Sequence, residues 1–379
     1  MDLSLTDEQE YLREAAAGAL GRVDTVAAAR EALEDEGKRP QLWPTVVEQG
    51  WTGLLTSEER GGAGLGLYDA ALIVQEGGKR LAPLGLATAL PAAAILDAAG
   101  DADAALAAGG EQRVVWLPVA PPTDRDARWT SDARRGLVRP AAPSAAVSGD
   151  EVTLTGEIAW APDAAQADRL LVVGVTDDDA TAPVAAIVDA SAAGVTVEPV
   201  VRYDATQPLA HVRLDGAVGR RVDADADALA AGFHVAQTLL AADAVGAVET
   251  LLEMGVAYAK ERQTFGRPIG SYQAVKHHLV EVLRLLENAR SLLIYAAWAH
   301  EHDHAQLALA ASAARSGAGH ALEVASRETI SVHGGIGATW EHDAPLFFRR
   351  AQLTRRLLGG TDGATDRVAG ELLSGVATV

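Results

Sequence analysis

The stretch from Thr238 to Ala297 constrains the fold more than any other part of the chain. Leu239, Leu240, Val245, Val248, Leu251 and Leu252 give a mostly apolar helix that runs on to Tyr258. A second helix carries Val275, Leu279, Val282, Leu286, Ala289 and Leu293, spaced alternately four and three apart. That is the seam of a helix packed in a bundle. Between the two, Gly266, Pro268 and Gly270 cannot continue a helix, so the chain must turn back on itself. Lys260 and Arg262 fall where the first helix ends and its C-terminal dipole tolerates positive charge. The pattern predicts a long antiparallel pair with Arg, aromatic, Gln and Lys side chains clustered at its corner.

At 379 residues the chain is too long for one hydrophobic core, and two or three structural units are expected. The absence of cysteine excludes disulfides, thiolate catalysis and Cys-based zinc or iron–sulfur sites. A formal charge of −20 argues against nucleic acid and leaves room for a local basic pocket. The first residues hold no basic segment followed by an apolar core, and no run of strongly apolar residues is long enough to span a bilayer. The expected setting is cytoplasmic.

Thr6-Asp7-Glu8-Gln9 is a capping-box pattern that opens a helix running to about Leu20. Further helices are expected over Leu42–Gln49, Leu67–Lys79 and Thr88–Leu106, with a glycine-rich surface turn from Gly50 to Gly66. The character then changes. Arg113–Val119, Glu151–Thr155, Arg169–Val175, Val184–Val188, Val195–Val200 and Ala210–Leu214 read as strands of an antiparallel sheet or small barrel. Helical periodicity returns from about Ala224. The expected architecture is α+β: an N-terminal helical domain over residues 1–112, a middle antiparallel β domain over 113–222, and a C-terminal four-helix-bundle domain over 223–379. Asp223, Asp225 and Asp227 lack the glycine and terminal glutamate of a calcium loop and read as a solvated linker and helix start. The histidines from His277 to His304 read as a solvated helix surface, so no metal site is expected.

Tyr258, Arg262, Phe265-Gly266, Pro268-Ile269 and Gln273 together closely resemble the central signature of the acyl-CoA dehydrogenases. His333-Gly334-Gly335-Ile336-Gly337, followed by Thr339–Asp343 and Arg349-Arg350, resembles their C-terminal signature. Leu42-Trp43, Gly50-Trp51 and Gly61-Gly62 are similar to their N-terminal pattern. The resemblance covers essentially the whole chain. It implies a flavin enzyme fold, two helical domains around a β domain, assembled as a dimer of dimers with FAD as cofactor. It also implies an acyl-CoA thioester as substrate and an electron-transfer protein as acceptor. The Thr339–Arg350 segment is similar to an actinobacterial subgroup acting on bulky acyl-CoA thioesters, including steroid side chains, some of whose members combine two different subunits.

The chemistry of such an oxidoreductase is removal of an α-proton by a carboxylate while hydride leaves the β-carbon for the flavin. By resemblance, Arg262, Phe265 and Gln273 contact the FAD of a neighbouring subunit and Gly334, Gly335 and Gly337 let backbone approach the diphosphate; the alternatives are an Arg–carboxylate pair at the corner and glycines that end a helix, and Trp160 reads equally as a ring-stacking residue or a strand-end core tryptophan. The departures are equally specific. Gly359 stands where common members carry the catalytic glutamate, and Ala236 stands at the other known location of that base. Neither can accept a proton. Ala161-Pro162 replaces the pair that backs the flavin ring, and Pro121–Asp126 replaces a loop that lines flavin and substrate. The remaining candidate base is Asp243, in an apolar setting seven residues beyond Ala236, about 10 Å along the helix. An arginine-paired structural aspartate is the alternative for that residue. Three functional readings follow: a subunit of a heteromeric dehydrogenase whose partner supplies the base, a non-catalytic scaffold or ligand-binding homo-oligomer without FAD, or an active homomer using Asp243.

Overall fold

The computed structural model describes residues 4–117, 142–176, 183–200 and 204–376. Thr6 opens α1 (Asp7–Leu20) with the expected capping box: its hydroxyl accepts from the Gln9 N–H and the Gln9 amide oxygen accepts from the Thr6 N–H, both at 3.2 Å. Helices α2 (Thr25–Glu31), α3 (Trp43–Glu48), α4 (Leu67–Gly78), α5 (Leu86–Ala98) and α6 (Asp103–Gly109) complete the first unit. A middle group of seven strands follows: β1 (Val114–Leu117), β2 (Ser144–Ser148), β3 (Glu151–Pro162), β4 (Arg169–Thr176), β5 (Pro183–Asp189), β6 (Val195–Val200) and β7 (Leu209–Val222).

The order β4-β2-β3-β7-β5 closes on itself because β5 also pairs with β4. The result is a small barrel with β1 added beside β4 and β6 beside β7. Alternation in β3 turns Val152, Leu154 and Ile158 inward against Leu170, Val172, Val212 and Leu214. The sheet differs from the antiparallel expectation in one respect: β1 and β2 both run parallel to β4. Parallel neighbours need a crossover, which the chain between β1 and β4 supplies by way of the β2–β3 hairpin. Strand β2 escaped the sequence reading because Ser144-Ala145-Ala146-Val147 carries little β-branched character. Pro118 to Val119, expected to end the first strand, lie outside the described residues, as does the Pro121–Asp126 segment.

The C-terminal unit starts with Asp225, whose carboxylate caps α7 (Ala226–Glu261) by accepting from the Ala228 N–H at 2.8 Å. The acidic repeat is therefore a helix start. Helix α8 (Gln273–His302) returns antiparallel, followed by α9 (His304–His333), α10 (Ala344–Thr354) and α11 (Gly360–Val376). Along α8, Val282, Leu286, Ala289 and Leu293 are buried and Val275 and Leu279 half-buried, so the predicted seam is the packed face. The apolar core runs without a break from α4 into α7, α8 and α9. At the α4–α7 contact, a Cβ on Gly246 would stand 2.0 Å from the Gln75 carbonyl and one on Gly78 would stand 2.1 Å from the Asp243 carbonyl. Those helices meet backbone to backbone, which only glycine permits.

One fully buried side chain ties all three units together. Arg350 of α10 donates to Asp204 at 2.7 Å, to both oxygens of Asp243 at 2.8 and 3.0 Å, to the Thr206 hydroxyl at 2.6 Å and to the Leu81 carbonyl at 3.1 Å. Burial alone would lower the Arg350 pKa, but Asp243 and Asp204 more than offset it and raise it. Removing the guanidinium leaves two buried carboxylates without a counter-charge. Arg350→Met is therefore expected to cost about 3–5 kcal/mol, visible as a large drop in the urea midpoint; an unchanged midpoint would show that the network is dispensable.

Candidate functional site

The corner between α7 and α8 is a two-residue β-hairpin, β8 (Gln263–Thr264) against β9 (Arg267–Pro268). Phe265 and Gly266 both have positive φ, 51° and 77°, as a primed hairpin turn requires. Asn or Asp normally precedes glycine in such a turn, because a bulky residue there is strained. Phe265 nevertheless occupies it, with its ring 98% exposed at the tip. Arg262 caps α7 in an extended conformation and is exposed, and Gln273 is exposed at the first position of α8. Neither side chain has a hydrogen-bond or ion-pair partner among the described residues. Arg267 instead lies over the Tyr272 ring at 4.1 Å, and the Tyr272 hydroxyl donates to the Thr264 carbonyl, which stiffens the corner.

The glycine turn after α9 lies at the same end of the bundle. Gly334 adopts φ 63°, ψ −138°, a conformation that essentially only glycine reaches, and a Cβ on Gly334 or Gly335 would meet nothing within 4 Å. That backbone is open. Gly337 differs from the expectation: it is buried, and a Cβ there would lie 2.7 Å from both the His333 Cβ and the Ile330 carbonyl. Helix–turn packing alone already requires glycine there. Trp160, at φ 59°, packs edge-on against His211 with ring centroids 4.8 Å apart, at the barrel and away from the hairpin.

At the junction of the three units a cavity of about 40 Å³ is lined by Leu86, Thr88, Pro162, Leu239, Leu240 and Leu358, among others. It holds a few water-sized groups at most. Two carboxylates reach its wall, Asp163 and Asp243. Burial pushes the Asp243 carboxyl up, against the pull of Arg350, but both its oxygens accept from the Arg350 guanidinium. The candidate base Asp243 thus sits as an arginine-paired carboxylate, the structural alternative named for it, with both oxygens engaged by a buried cation. Ala236 is buried in α7, and Gly359 is buried at φ 84° just after Leu358, itself left-handed at φ 52°. No carboxylate stands at either place.

Asp163 escaped the sequence reading; its only signal was an acidic residue directly after Ala161-Pro162. It sits at φ 60°, accepts from Arg113 at 2.9 Å and from the Thr88 hydroxyl at 2.8 Å, and so joins the barrel to α5. Arg113 lies over the Trp43 ring at 4.3 Å, and Gly85 must be glycine because a Cβ would fall 2.1 Å from the guanidinium. Behind Gly359, Gln237 donates to the Leu358 carbonyl at 3.2 Å and Arg315 donates to the carbonyls of Thr354 and Leu357. The turn that would carry a base is thus pinned through its backbone.

These positions decide how FAD would fit. An exposed Arg262 and Gln273 without partners, the Phe265 ring at the tip and open backbone at Gly334 and Gly335 form a face suited to a diphosphate and a planar ring brought from outside the chain. On the chain's own barrel, Pro162 has no N–H to offer a flavin, and Asp163 is occupied by Arg113 and Thr88. The residues fit a cofactor shared with a neighbour better than one held alone.

His234, beside Gln237 in the buried face of α7, is pulled down to about 3 by burial and then by the Arg367 charge. Its unfolded counterpart titrates near 6.5. The stability it contributes is complete above pH 6.5 and is lost as pH falls towards 3, because the unfolded chain alone takes up the proton. His300, lowered to about 4 by burial and then His304, acts in the same direction. His234→Leu should therefore remove about 1.4 kcal/mol per pH unit from the acid dependence of stability between pH 6 and 5. Urea unfolding at the two pH values measures this, and an unchanged slope would mean that His234 protonates in place.

The first and last units match family models described as acyl-CoA dehydrogenase, N-terminal domain, over residues 6–105, and acyl-CoA dehydrogenase, C-terminal domain, over residues 226–373. Acyl-CoA dehydrogenase IpdE2 of Mycobacterium tuberculosis is 32% identical over 93% of this chain and 93% of its own length. Acyl-CoA dehydrogenase FadE34 of the same organism is 32% identical over 99% of this chain, which spans 49% of that relative. Among solved structures, the Tcur3481-Tcur3483 steroid ACAD superposes with a TM-score of 0.84 at 26% identity, over 98% of this chain and 99% of the other. The ChsE4-ChsE5 complex from Mycobacterium tuberculosis shares the fold, with a TM-score of 0.84 at 24% identity over 98% and 99% of the two chains. Among the described residues, no helix is long and apolar enough to cross a membrane. The three-part architecture, both signature regions and these relatives agree: the chain belongs to the acyl-CoA dehydrogenase family.

Proposed function

We propose that this chain is one subunit of a heteromeric, FAD-dependent acyl-CoA dehydrogenase, and that it completes the cofactor site of a homologous partner while lacking a base of its own. The observation that carries this is the hairpin corner. A strained, 98% exposed Phe265 stands beside an Arg262 and a Gln273 that have no partner among the described residues. Strain of that kind persists where a partner or ligand uses it.

When bound, FAD supplies the hydride acceptor for Cα–Cβ oxidation of the thioester. In this chain Arg262 would fork its guanidinium to diphosphate oxygens, Gln273 would donate its amide beside them, and Phe265 would cover the ring system from water. Open backbone at Gly334 and Gly335 would let the diphosphate lie close. The α-proton must go to a carboxylate of the partner, because Gly359 and Ala236 hold none and Asp243 and Asp163 are both engaged by arginines. The named relatives support a bulky, steroid-like acyl-CoA as substrate and a two-chain assembly, one being a steroid ACAD and another a complex of two named chains. An electron-transfer protein as acceptor and a cytoplasmic setting belong to the same proposal.

The experiment is a comparison of the chain alone with the chain co-expressed with a base-bearing homologue. Alone, with FAD, an acceptor and a range of acyl-CoA thioesters, it should show negligible dehydrogenation, since a missing positioned base lowers rates by about 10²–10⁴. Gly359→Glu should not restore it fully, because Pro162 remains. The co-expressed complex should be yellow and active, and Arg262→Ala should weaken its hold on FAD. Robust turnover by the homomer would refute the division of labour, and a complex that stays colourless would return the chain to a scaffold role.

A further inference from the structure

The two halves of the proposed cofactor face come from different helices. Arg262 ends α7, whereas the open glycines follow α9. A stack of three rings joins them. Tyr258 lies one turn before Arg262, and its carbonyl accepts the Arg262 N–H at 2.9 Å. The Tyr258 ring stacks on His333 with centroids 4.3 Å apart and planes 27° apart. His333 in turn meets His342, with centroids 4.2 Å apart at 54°. Both imidazoles are fixed in orientation. His333 Nδ1 donates to the Thr329 carbonyl at 2.7 Å, since a carbonyl only accepts, and His342 Nδ1 accepts the Ala344 N–H at 3.1 Å. Gly337 packs against the base of the His333 side chain, where a Cβ would stand 2.7 Å from the His333 Cβ.

His333 is buried while Gly334 and Gly335 are exposed, so the ring does not face the open surface itself. We infer that His333 is a positioning residue: held between the Tyr258 and His342 rings, with Gly337 packed on its Cβ, it sets the spacing of Arg262 from the glycine turn and so the width of the diphosphate face. This rests on the cofactor-sharing reading above, but the contact between the two segments exists in the chain whether or not FAD is bound.

The test uses the co-expressed complex with His333→Ala, His333→Phe and, in parallel, Arg262→Ala. FAD affinity is measured by reconstitution of the apoprotein, and amide hydrogen exchange is followed over residues 262–265 and 334–338. His333→Ala should weaken FAD about tenfold, the effect of losing one well-packed ring contact, and should speed exchange in both segments without changing it in the barrel. His333→Phe keeps the stack and loses only the bond to Thr329, so it should regain most of the affinity. Wild-type affinity in His333→Ala alongside weakened binding in Arg262→Ala would overturn the positioning role and leave the cofactor face standing. If neither variant alters FAD binding, the cofactor face is wrong, and exchange alone decides: faster exchange in both segments supports the coupling and unchanged exchange overturns it. Should His333→Ala fail to fold, Tyr258→Leu breaks the same stack from the opposite side and is held to the same outcomes.

Discussion

A charge removed from water is the constraint on which the rest of this fold depends. Arg350 has no exposed surface, and an unpaired guanidinium there would cost several kcal/mol. Its partners come from all three units: Asp243 from α7, Asp204 and Thr206 from the segment before β7, and the Leu81 carbonyl from the end of α4. No two units could satisfy it alone. The pair Arg113–Asp163 repeats the device between the first unit and the barrel, with Trp43 covering the guanidinium. The backbone-to-backbone fit of α4 on α7 at Gly78 and Gly246 already restricts how the first and last units meet. The two buried ion clusters add to that restriction, because a small slide would strand a charge.

The same clusters decide what the central cavity can do. Its wall carries two carboxylates, the residue type that acyl-CoA oxidation needs as a base. Each is already engaged on both oxygens, Asp243 by Arg350 and Asp163 by Arg113 and Thr88. At the places where the family resemblance seats a base, Ala236 faces the core and Gly359 offers only backbone. Burial tends to raise a carboxylate pKa, which suits a base, but only an oxygen free to meet the proton can use it. Geometry therefore outweighs titration in assigning Asp243 its role.

Much of the fold was legible in the sequence because its signals are periodic and local. The four-and-three spacing from Val275 to Leu293 marked the buried seam of α8, and Thr6 with Gln9 marked the start of α1. What stayed hidden depends on distant partners. Nothing near Arg350 says that Asp204 lies 2.7 Å away, so the alternative structural role of Asp243 could be named but not its geometry. Small residues hid β2, and the parallel pairing of β1 with β4 follows from chain crossover, not from any local pattern. Among site residues, Arg262, Phe265 and Gln273 do gather at one corner. Trp160 lies at the barrel, and Gly337 is packed against His333 and Ile330. Asp163 was missed because a lone aspartate after proline reads as an ordinary turn residue.

The contrast between interior and corner carries the functional argument. Inside, the two carboxylates at the cavity wall are both held by arginines, Asp243 by Arg350 and Asp163 by Arg113, and the cavity itself measures about 40 Å³. At the corner, Arg262 and Gln273 lack partners among the described residues, Phe265 is strained and exposed, and the Gly334 backbone holds a conformation reserved for glycine. A chain acting alone would gain stability from Asn at position 265. The choice of Phe265 is explained if another molecule uses its exposed ring. The rigid hairpin, held by Tyr272 and Arg267, and the ring stack at His333 keep those groups in place before that molecule arrives, which lowers the entropy lost on association. The polar groups this chain leaves open thus face outward, where the proposed partner subunit would meet them.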